Sequence, residues 1–232
     1  MKDLLIAGAA LVALGTPACA REAHQEAQGR DDAAKVSFGL TGATDYVWRG
    51  VSQTDSDPAV FASVNLAYRG FYAGAGTENV RFAGIRQEYD LWAGYGLDLG
   101  AVRLDSGVVR YGYVDSAARI DTLEGKLALS GKVGKLGLTA SGYYTGNYFG
   151  SGNGALYTEA AAAFPATARL SLSGAYGHQQ IDRAQGYDTW NLGASYAVLP
   201  GASLGLRYHD TAGLGSGRNV RARLTGSFSL TF

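Results

Sequence analysis

The sequence predicts an all-β chain: a closed antiparallel transmembrane β-barrel of about twelve strands, with short turns at one end and longer loops at the other. Three observations carry that prediction. Apolar and polar residues alternate with period two over nearly the whole chain from Lys35 onward, which marks strands with one apolar and one polar face. The connections between the alternating runs are in turn short and long. Aromatic residues on the apolar face gather at both ends of the runs, where amphipathic rings meet the two water–lipid boundaries.

The first run shows the alternation well. Val36, Phe38, Leu40, Gly42, Thr44, Tyr46 and Trp48 share one face, and Ser37, Gly39, Thr41, Ala43, Asp45 and Arg49 share the other. The predicted strands span roughly 35–48, 59–68, 71–80, 86–97, 101–113, 121–131, 136–146, 155–164, 168–178, 188–198, 202–210 and 219–232. Most are close to the 9–11 residues that a tilted strand needs to cross a bilayer. The run 101–113 does not keep one register. Arg103 and Asp105 turn inward only if the phase changes before Val109, Tyr111 and Tyr113, so a bulge is predicted near Gly107.

Short connections are predicted at Arg69-Gly70, 98–100, 131–135, Pro165-Ala166 and Pro200-Gly201, and longer polar loops at 49–58, 79–86, 114–120, 147–154, 179–187 and 211–218. Pro58, Pro165 and Pro200 all fall outside strand interiors, as an unbroken ring of inter-strand hydrogen bonds requires. On the lipid face, Tyr46, Trp48, Tyr89, Tyr144, Tyr176, Trp190 and Tyr208 collect toward the loop ends. Tyr68, Phe71, Tyr95, Phe164, Tyr196 and Phe232 collect toward the turn ends. A soluble β-sandwich or barrel alternates in the same way. The terminal Phe232, the asymmetric connections and the double girdle together are what favour a membrane.

The N-terminus predicts export. Lys2, the apolar run Leu4 to Leu14, Pro17 and Ala18-Cys19-Ala20 read as a signal segment over 1–20, cleaved before Arg21. Residues 21–34 are polar and aperiodic and read as a flexible periplasmic lead before a barrel over 35–232. Acylation of Cys19 is the alternative, but Thr16-Pro17-Ala18 matches a lipobox poorly. Cys19 is the only cysteine, so the mature chain has neither disulfides nor cysteine-ligated metal. Twenty basic residues balance twenty acidic ones, which argues against a nucleic-acid partner. The partners expected are membrane lipids and small polar solutes.

Charges concentrate on the inward face, where a wet or self-paired lumen tolerates them. Asp45, Glu88, Asp90, Asp105, Glu124 and Glu159 supply acid there, and Arg103, Arg110, Lys126, Arg169, Arg207, Arg221 and Arg223 supply base, with Arg49 at the outer rim. These are the predicted pore-lining residues. Arg207, Arg221 and Arg223 form a basic stripe, and Glu88 with Asp90 an acidic counterpart, as across a porin constriction. An ion-paired plug is the competing reading of the same charges, and the expected bore of about twelve strands favours a channel.

An enzyme is the rival class, and it needs a nucleophile beside a base. His24, His178 and His209 are scattered and share no strand face with a serine at the required spacing. They show no metal-ligand spacing either, so no cofactor or metal is expected. A third class is a scaffold acting through Tyr148, Phe149 and Tyr187 in or beside Gly-rich loops.

The final run Leu224-Thr-Gly-Ser-Phe228-Ser-Leu230-Thr-Phe232 alternates to its last residue. It resembles the C-terminal recognition strand of bacterial outer-membrane barrels. That likeness implies engagement by the barrel-assembly machinery through Leu224, Phe228, Leu230 and Phe232. The stretch from Leu40 to Val60, which contains Asp45-Tyr-Val-Trp-Arg49-Gly-Val-Ser-Gln53-Thr, resembles the opening of the TorF family of porin-type proteins. The similarity continues through Gly70–Gly74 and Glu88–Tyr95 and is looser beyond residue 97. It departs where Tyr113 is followed by Val114 and not by proline. The resemblance implies an outer-membrane barrel proposed to be a porin, and leaves the solute open.

Overall fold

The computed structural model describes residues 33–114, 116–117 and 119–232. The expected signal segment 1–20, with Cys19, and residues 21–32 of the expected lead, with His24, lie outside the described residues. β1 (Lys35–Ala43) is followed by a short ribbon, β2 (Val47–Trp48) and β3 (Val51–Ser52). Then come β4 (Ala59–Tyr68), β5 (Phe71–Phe82), β6 (Ile85–Leu99), β7 (Val102–Tyr113), β8 (Thr122–Val133) and β9 (Leu136–Thr145). The chain ends with β10 (Ala155–Pro165), β11 (Leu170–Ile181), β12 (Tyr187–Leu199), β13 (Ala202–Ala212) and β14 (Arg223–Thr231). β1 and β4 to β14 form one closed barrel of twelve strands in chain order.

The ring closes where β14 returns antiparallel to β1, from Gly39 opposite Thr231 to Ala43 opposite Ser227. Phe38 and Phe232 exchange backbone hydrogen bonds of 3.1 and 3.0 Å just beyond that ladder. Closure leaves no sheet edge, the condition for a strand-built structure in lipid.

The two faces invert the arrangement of a soluble protein. Phe71, Leu192 and Leu224 on the outer face are each more than 60% exposed, while Asn65, Asp90 and Gln179 on the inner face are fully buried. Apolar residues outside and buried polar groups inside exclude the soluble alternative and make this a membrane barrel. Tyr68, Tyr95, Tyr196, Tyr208 and Phe232 stand exposed on the outer face, as do Leu224 and Phe228 of the final strand. Tyr89, Trp190 and Leu230 share that outward parity but are half-buried.

Three local expectations are corrected. β1 ends at Ala43, not at 48. Thr44 ends the ladder by bonding Gly226 through both its amide (2.9 Å) and its hydroxyl (3.0 Å), and the chain then leaves the wall for the interior. The loop expected at 79–86 is a tight hairpin: β5 and β6 continue to a two-residue turn at Ala83-Gly84, both at positive φ, the backbone that suits the twist of a two-residue hairpin. No bulge occurs near Gly107, since β7 pairs in unbroken register with β6 and β8. Val109, Tyr111 and Tyr113 instead face inward with Arg103 and Asp105, into an aromatic core where large side chains are at home.

The register puts closure on the last strand. Deleting residues 228–232 is expected to abolish the heat-modifiable gel shift of the refolded barrel, because β1 then loses Phe228, Ser229, Leu230 and Thr231 as partners.

Candidate functional site

The loop after β1 folds into the barrel. Its ribbon pairs Val47 with Ser52 and Trp48 with Val51, and Arg49 and Gly50 form the tip at φ +45° and +80°. Asp45 anchors the base of the loop. Its Oδ1 accepts from Ser52 Oγ (2.7 Å) and lies 2.8 Å from Thr54 Oγ1, and its Oδ2 accepts from Arg223 Nη1 at 2.6 Å. The tip meets the far wall: a Cβ on Gly50 would come within 2.3 Å of Thr211 Cγ2 and 2.8 Å of Thr189 Oγ1. A residue larger than glycine therefore does not fit without movement of β12 and β13.

Arg49 fastens the crossing. Its two terminal nitrogens donate to Glu124 Oε1 and Oε2 at 2.9 and 2.6 Å, and Nη1 also donates to Gln179 Oε1 at 2.9 Å. The guanidinium lies 4.2 Å from the Trp48 ring centre and 4.4 Å from that of Tyr157. Tyr111 Oη donates to Glu124 Oε2 at 3.2 Å. Both partners of the ion pair are buried to 1% side-chain exposure. A bidentate pair gains geometric specificity that a point-charge lysine cannot supply.

Beside this crossing lies an apolar core inside the barrel. Tyr46 packs edge-on to Phe61 (5.1 Å), and Trp48 packs on Tyr111 (5.9 Å) and Phe149 (5.5 Å). Tyr46 and Trp48, expected in the lipid girdle, are thus interior residues, 4% and 8% exposed. The cause is the early end of β1: once the chain leaves the wall, strand parity no longer governs these side chains. A second loop dips in with a short 3-10 turn at Tyr148–Gly150, held by Phe149 N donating to Thr122 Oγ1 at 2.8 Å. Burial pushes the Tyr148 phenol up to about 12, with Arg49 lowering it and Glu124 raising it. Tyr148, Phe149 and Tyr187 therefore face the interior and do not form an exposed docking surface.

The remaining predicted charges divide. Glu88 and Asp90 are buried beside Glu78, which the sequence reading did not single out. Lys126 pairs with Asp105 at 3.0 Å, and Tyr157 Oη donates to Glu159 Oε2 at 3.0 Å. Arg103 pairs with Asp98 at 2.7 Å near the turn end. Arg207 donates to Asn191 Oδ1 (2.6 Å) and Ser173 Oγ (2.9 Å). Three arginines leave the expected lining. Arg110 has the outward parity of β7 and pairs with Asp121 at 2.6 Å. Arg169 is exposed in the turn before β11, and Arg221 in the loop before β14. The expected stripe of Arg207, Arg221 and Arg223 does not form, because Arg223 is spent on Asp45. His178 pairs with Asp188 at 2.7 Å near the loop end. His209 Nε2 lies 3.2 Å from Thr225 Oγ1.

The interior is filled unevenly. Inward residues of β5, β6 and β8, such as Tyr72, Glu78, Asp90, Trp92 and Glu124, are buried. Those toward the turn ends of β11 to β14, including Ser173, Ser195, Gly205, Arg207, Ser227 and Ser229, are half-buried. Toward the loop ends of β11 and β12, Gln179, Tyr187 and Thr189 are buried again where the ribbon tip crosses. The inward positions at the turn ends of that wall are thus the least covered, and the ribbon crosses toward its loop ends. Gln179 and Tyr157 carry neither charge nor a girdle position in the sequence, and Tyr111 was expected to face outward beyond a bulge. Their inward strand parity was the available signal.

Arg49→Ala is expected to cost about 3–5 kcal/mol of folding stability in urea titrations of the micelle-bound barrel, because Glu124 is left buried and unpaired. Arg49→Ala combined with Glu124→Ala should recover part of that loss. Strictly additive losses would show that the two residues are not coupled.

Solved structures share the architecture. A KdgM porin superposes with a TM-score of 0.61 at 7% identity, covering 84% of this chain and 98% of its own. A NanC porin gives 0.59 at 10% identity over 84% of this chain and 98% of its own. The COG4313 outer membrane channel from Pseudomonas putida F1 gives 0.54 at 12% identity over 85% and 95% respectively. No curated protein matches the sequence. Identities this low speak to the fold, a barrel of the outer-membrane porin type, and its apolar jacket places a bacterial chain of this kind in the outer membrane. The family model for a bacterial protein of unknown function, Gcw_chp, matches residues 27–225, and the chain belongs to that family.

Proposed function

We propose that the protein is a narrow outer-membrane channel for passive diffusion of small polar solutes, with the 46–57 loop as its constriction. The observation that carries this reading is the half-buried wall of β11 to β14, lined by serine and glycine beside an otherwise filled interior. Small polar side chains hold water there without closing the space, whereas a structural plug would be packed on every side. The porin architecture of the KdgM and NanC structures supports the reading, as does the TorF-like block over residues 40–60.

Charge on the lane along this wall differs from the mixed lining expected at first. Arg207 is half-buried on it, while Glu78, Glu88, Asp90 and Glu124 lie buried in the opposite half. A guanidinium on the open side favours anionic solutes. One KdgM porin was solved with a disordered oligogalacturonate, an acidic sugar chain of the class such a lane would admit. The apolar outer residues of β14 fit the recognition-strand reading, in which the barrel-assembly machinery engages Leu224 to Phe232.

Planar-bilayer recording of the refolded barrel tests the proposal. Discrete conductance steps with a reversal potential on the anion side are expected in asymmetric salt. Arg207→Glu should move that potential toward cations, and Arg49→Ala should raise the unit conductance by freeing the ribbon. A folded barrel that gives no steps with or without the Arg49 change would overturn the channel reading.

A further inference from the structure

Glu78 on β5 stands directly opposite Glu88 on β6, with Asp90 one inward position further along β6. All three are buried, and one carboxylate oxygen from each lies within 4.8 Å of the others. Like charges facing each other across a strand pair are destabilising, and removal from water makes them more so. Asp90 is 0% exposed, and among the described residues no N–H or O–H donor reaches its carboxylate oxygens, whose side-chain contact is with the Glu78 carboxyl. Glu88 accepts only a long 3.4 Å bond from Tyr113 at Oε1, and its Oε2 has no hydrogen-bond partner.

A second, separate group converges on the same place. The Tyr46 hydroxyl arrives from the inward-folded loop, not from the strands. It is buried to 4% exposure, has no hydrogen-bond partner, and interacts electrostatically with Glu88, Glu78 and Asp90. An oxygen of this kind is a neutral ligand in search of a positive centre.

We infer that Glu78, Glu88, Asp90 and the Tyr46 hydroxyl form a divalent-cation site of calcium type. The donors are all hard oxygens, which select Ca²⁺ or Mg²⁺ over softer transition metals. The three carboxylate oxygens lie within 4.8 Å of one another, close enough for one ion, and a buried site built of protein oxygens favours calcium over magnesium, which dehydrates reluctantly and usually keeps several waters. The cation ties the loop to β5 and β6 through Tyr46, on the side away from the Arg49 contact with β8 and β11. The inference is independent of whether the lumen conducts.

Terbium(III) luminescence tests it, because Trp92 and Tyr113 stand close enough to sensitise a bound lanthanide. The refolded chain, stripped with EDTA in detergent, is titrated with terbium chloride and then competed with calcium or magnesium chloride. One saturable emission is expected, displaced by calcium at lower concentration than by magnesium. Asp90→Asn should weaken terbium binding at least tenfold, and Asp182→Asn, an exposed loop acid, should leave it unchanged. Should Asp90→Asn fail to show the gel shift of a folded barrel, Glu88→Gln takes its place. Absence of saturable emission from the folded wild-type chain overturns the site, and is the result expected if the carboxylates share protons instead. Emission indifferent to the triad substitution that folds, or displaced no better by calcium than by magnesium, also overturns the assignment.

Discussion

The buried pair of Arg49 and Glu124 is the interaction on which the interior depends. Glu124 comes from the barrel wall and Arg49 from the tip of a two-residue turn, so the pair spans the lumen. A guanidinium and a carboxylate stripped of water attract strongly, but each carries a large desolvation cost. The surroundings offset that cost with Gln179, the Tyr111 hydroxyl and the faces of Trp48 and Tyr157. Removing any of these weakens the reason for the loop to be inside. Asp45 and Arg223 repeat the device at the base of the loop, with side chains 6% and 8% exposed. One loop is therefore pinned at both ends by ion pairs that reach different parts of the wall.

This arrangement gives the barrel two unlike halves. Around β4 to β8 the interior resembles the core of a soluble domain, with edge-on aromatic contacts among Tyr46, Phe61, Trp48 and Tyr111. Tyr72 fits the same pattern: its hydroxyl donates to Asp105 at 2.9 Å across the space left by Gly94 and Gly107, where any Cβ would lie 2.2 and 2.7 Å from that oxygen. Toward the turn ends of β11 to β14 most inward residues are serine or glycine and are half-buried, with Arg207 the large exception. The outer face is uniform in comparison, because lipid imposes one requirement everywhere whereas the lumen does not.

The fold was readable because lipid enforces it residue by residue. Each strand must alternate, and the run from Val36 to Leu40 or from Leu224 to Phe232 does so plainly. The strand number follows from the same pattern. What escaped the sequence reading was any residue released from the wall. Tyr46 and Trp48 keep the phase of Val36 and Phe38 in sequence, yet three residues separate the last residue of β1 from the ribbon, and parity has no meaning there. Tyr111 and Tyr113 misled in the opposite way: they kept the phase of Arg103 and Asp105, and a bulge was needed only on the assumption that tyrosine avoids the lumen. Ala83-Gly84 was absorbed into a loop because the polar residues around it belong to strands standing clear of the apolar belt. Arg110 turns inward only with the bulge that β7 lacks, and Arg169 and Arg221 have inward parity on expected strands whose observed counterparts begin later, at Leu170 and Arg223.

The closing contact between β1 and β14 acquires a different meaning once the uneven filling is considered. Every other seam near the aromatic half is backed by packed side chains, so parting two strands there exposes a core. Below the Asp45–Arg223 pair at its loop end, the seam at β1 and β14 has small residues behind it, Thr41 against Ser229 at 2.9 Å among them, and is held there mainly by backbone hydrogen bonds. Amide hydrogens along this line are expected to exchange with solvent sooner than those of β6 or β8, since local opening costs least where least apolar area is disturbed. The seam that joins the two ends of the chain is thus the one whose parting disturbs the least side-chain packing, and the barrel carries a built-in zipper where it closes.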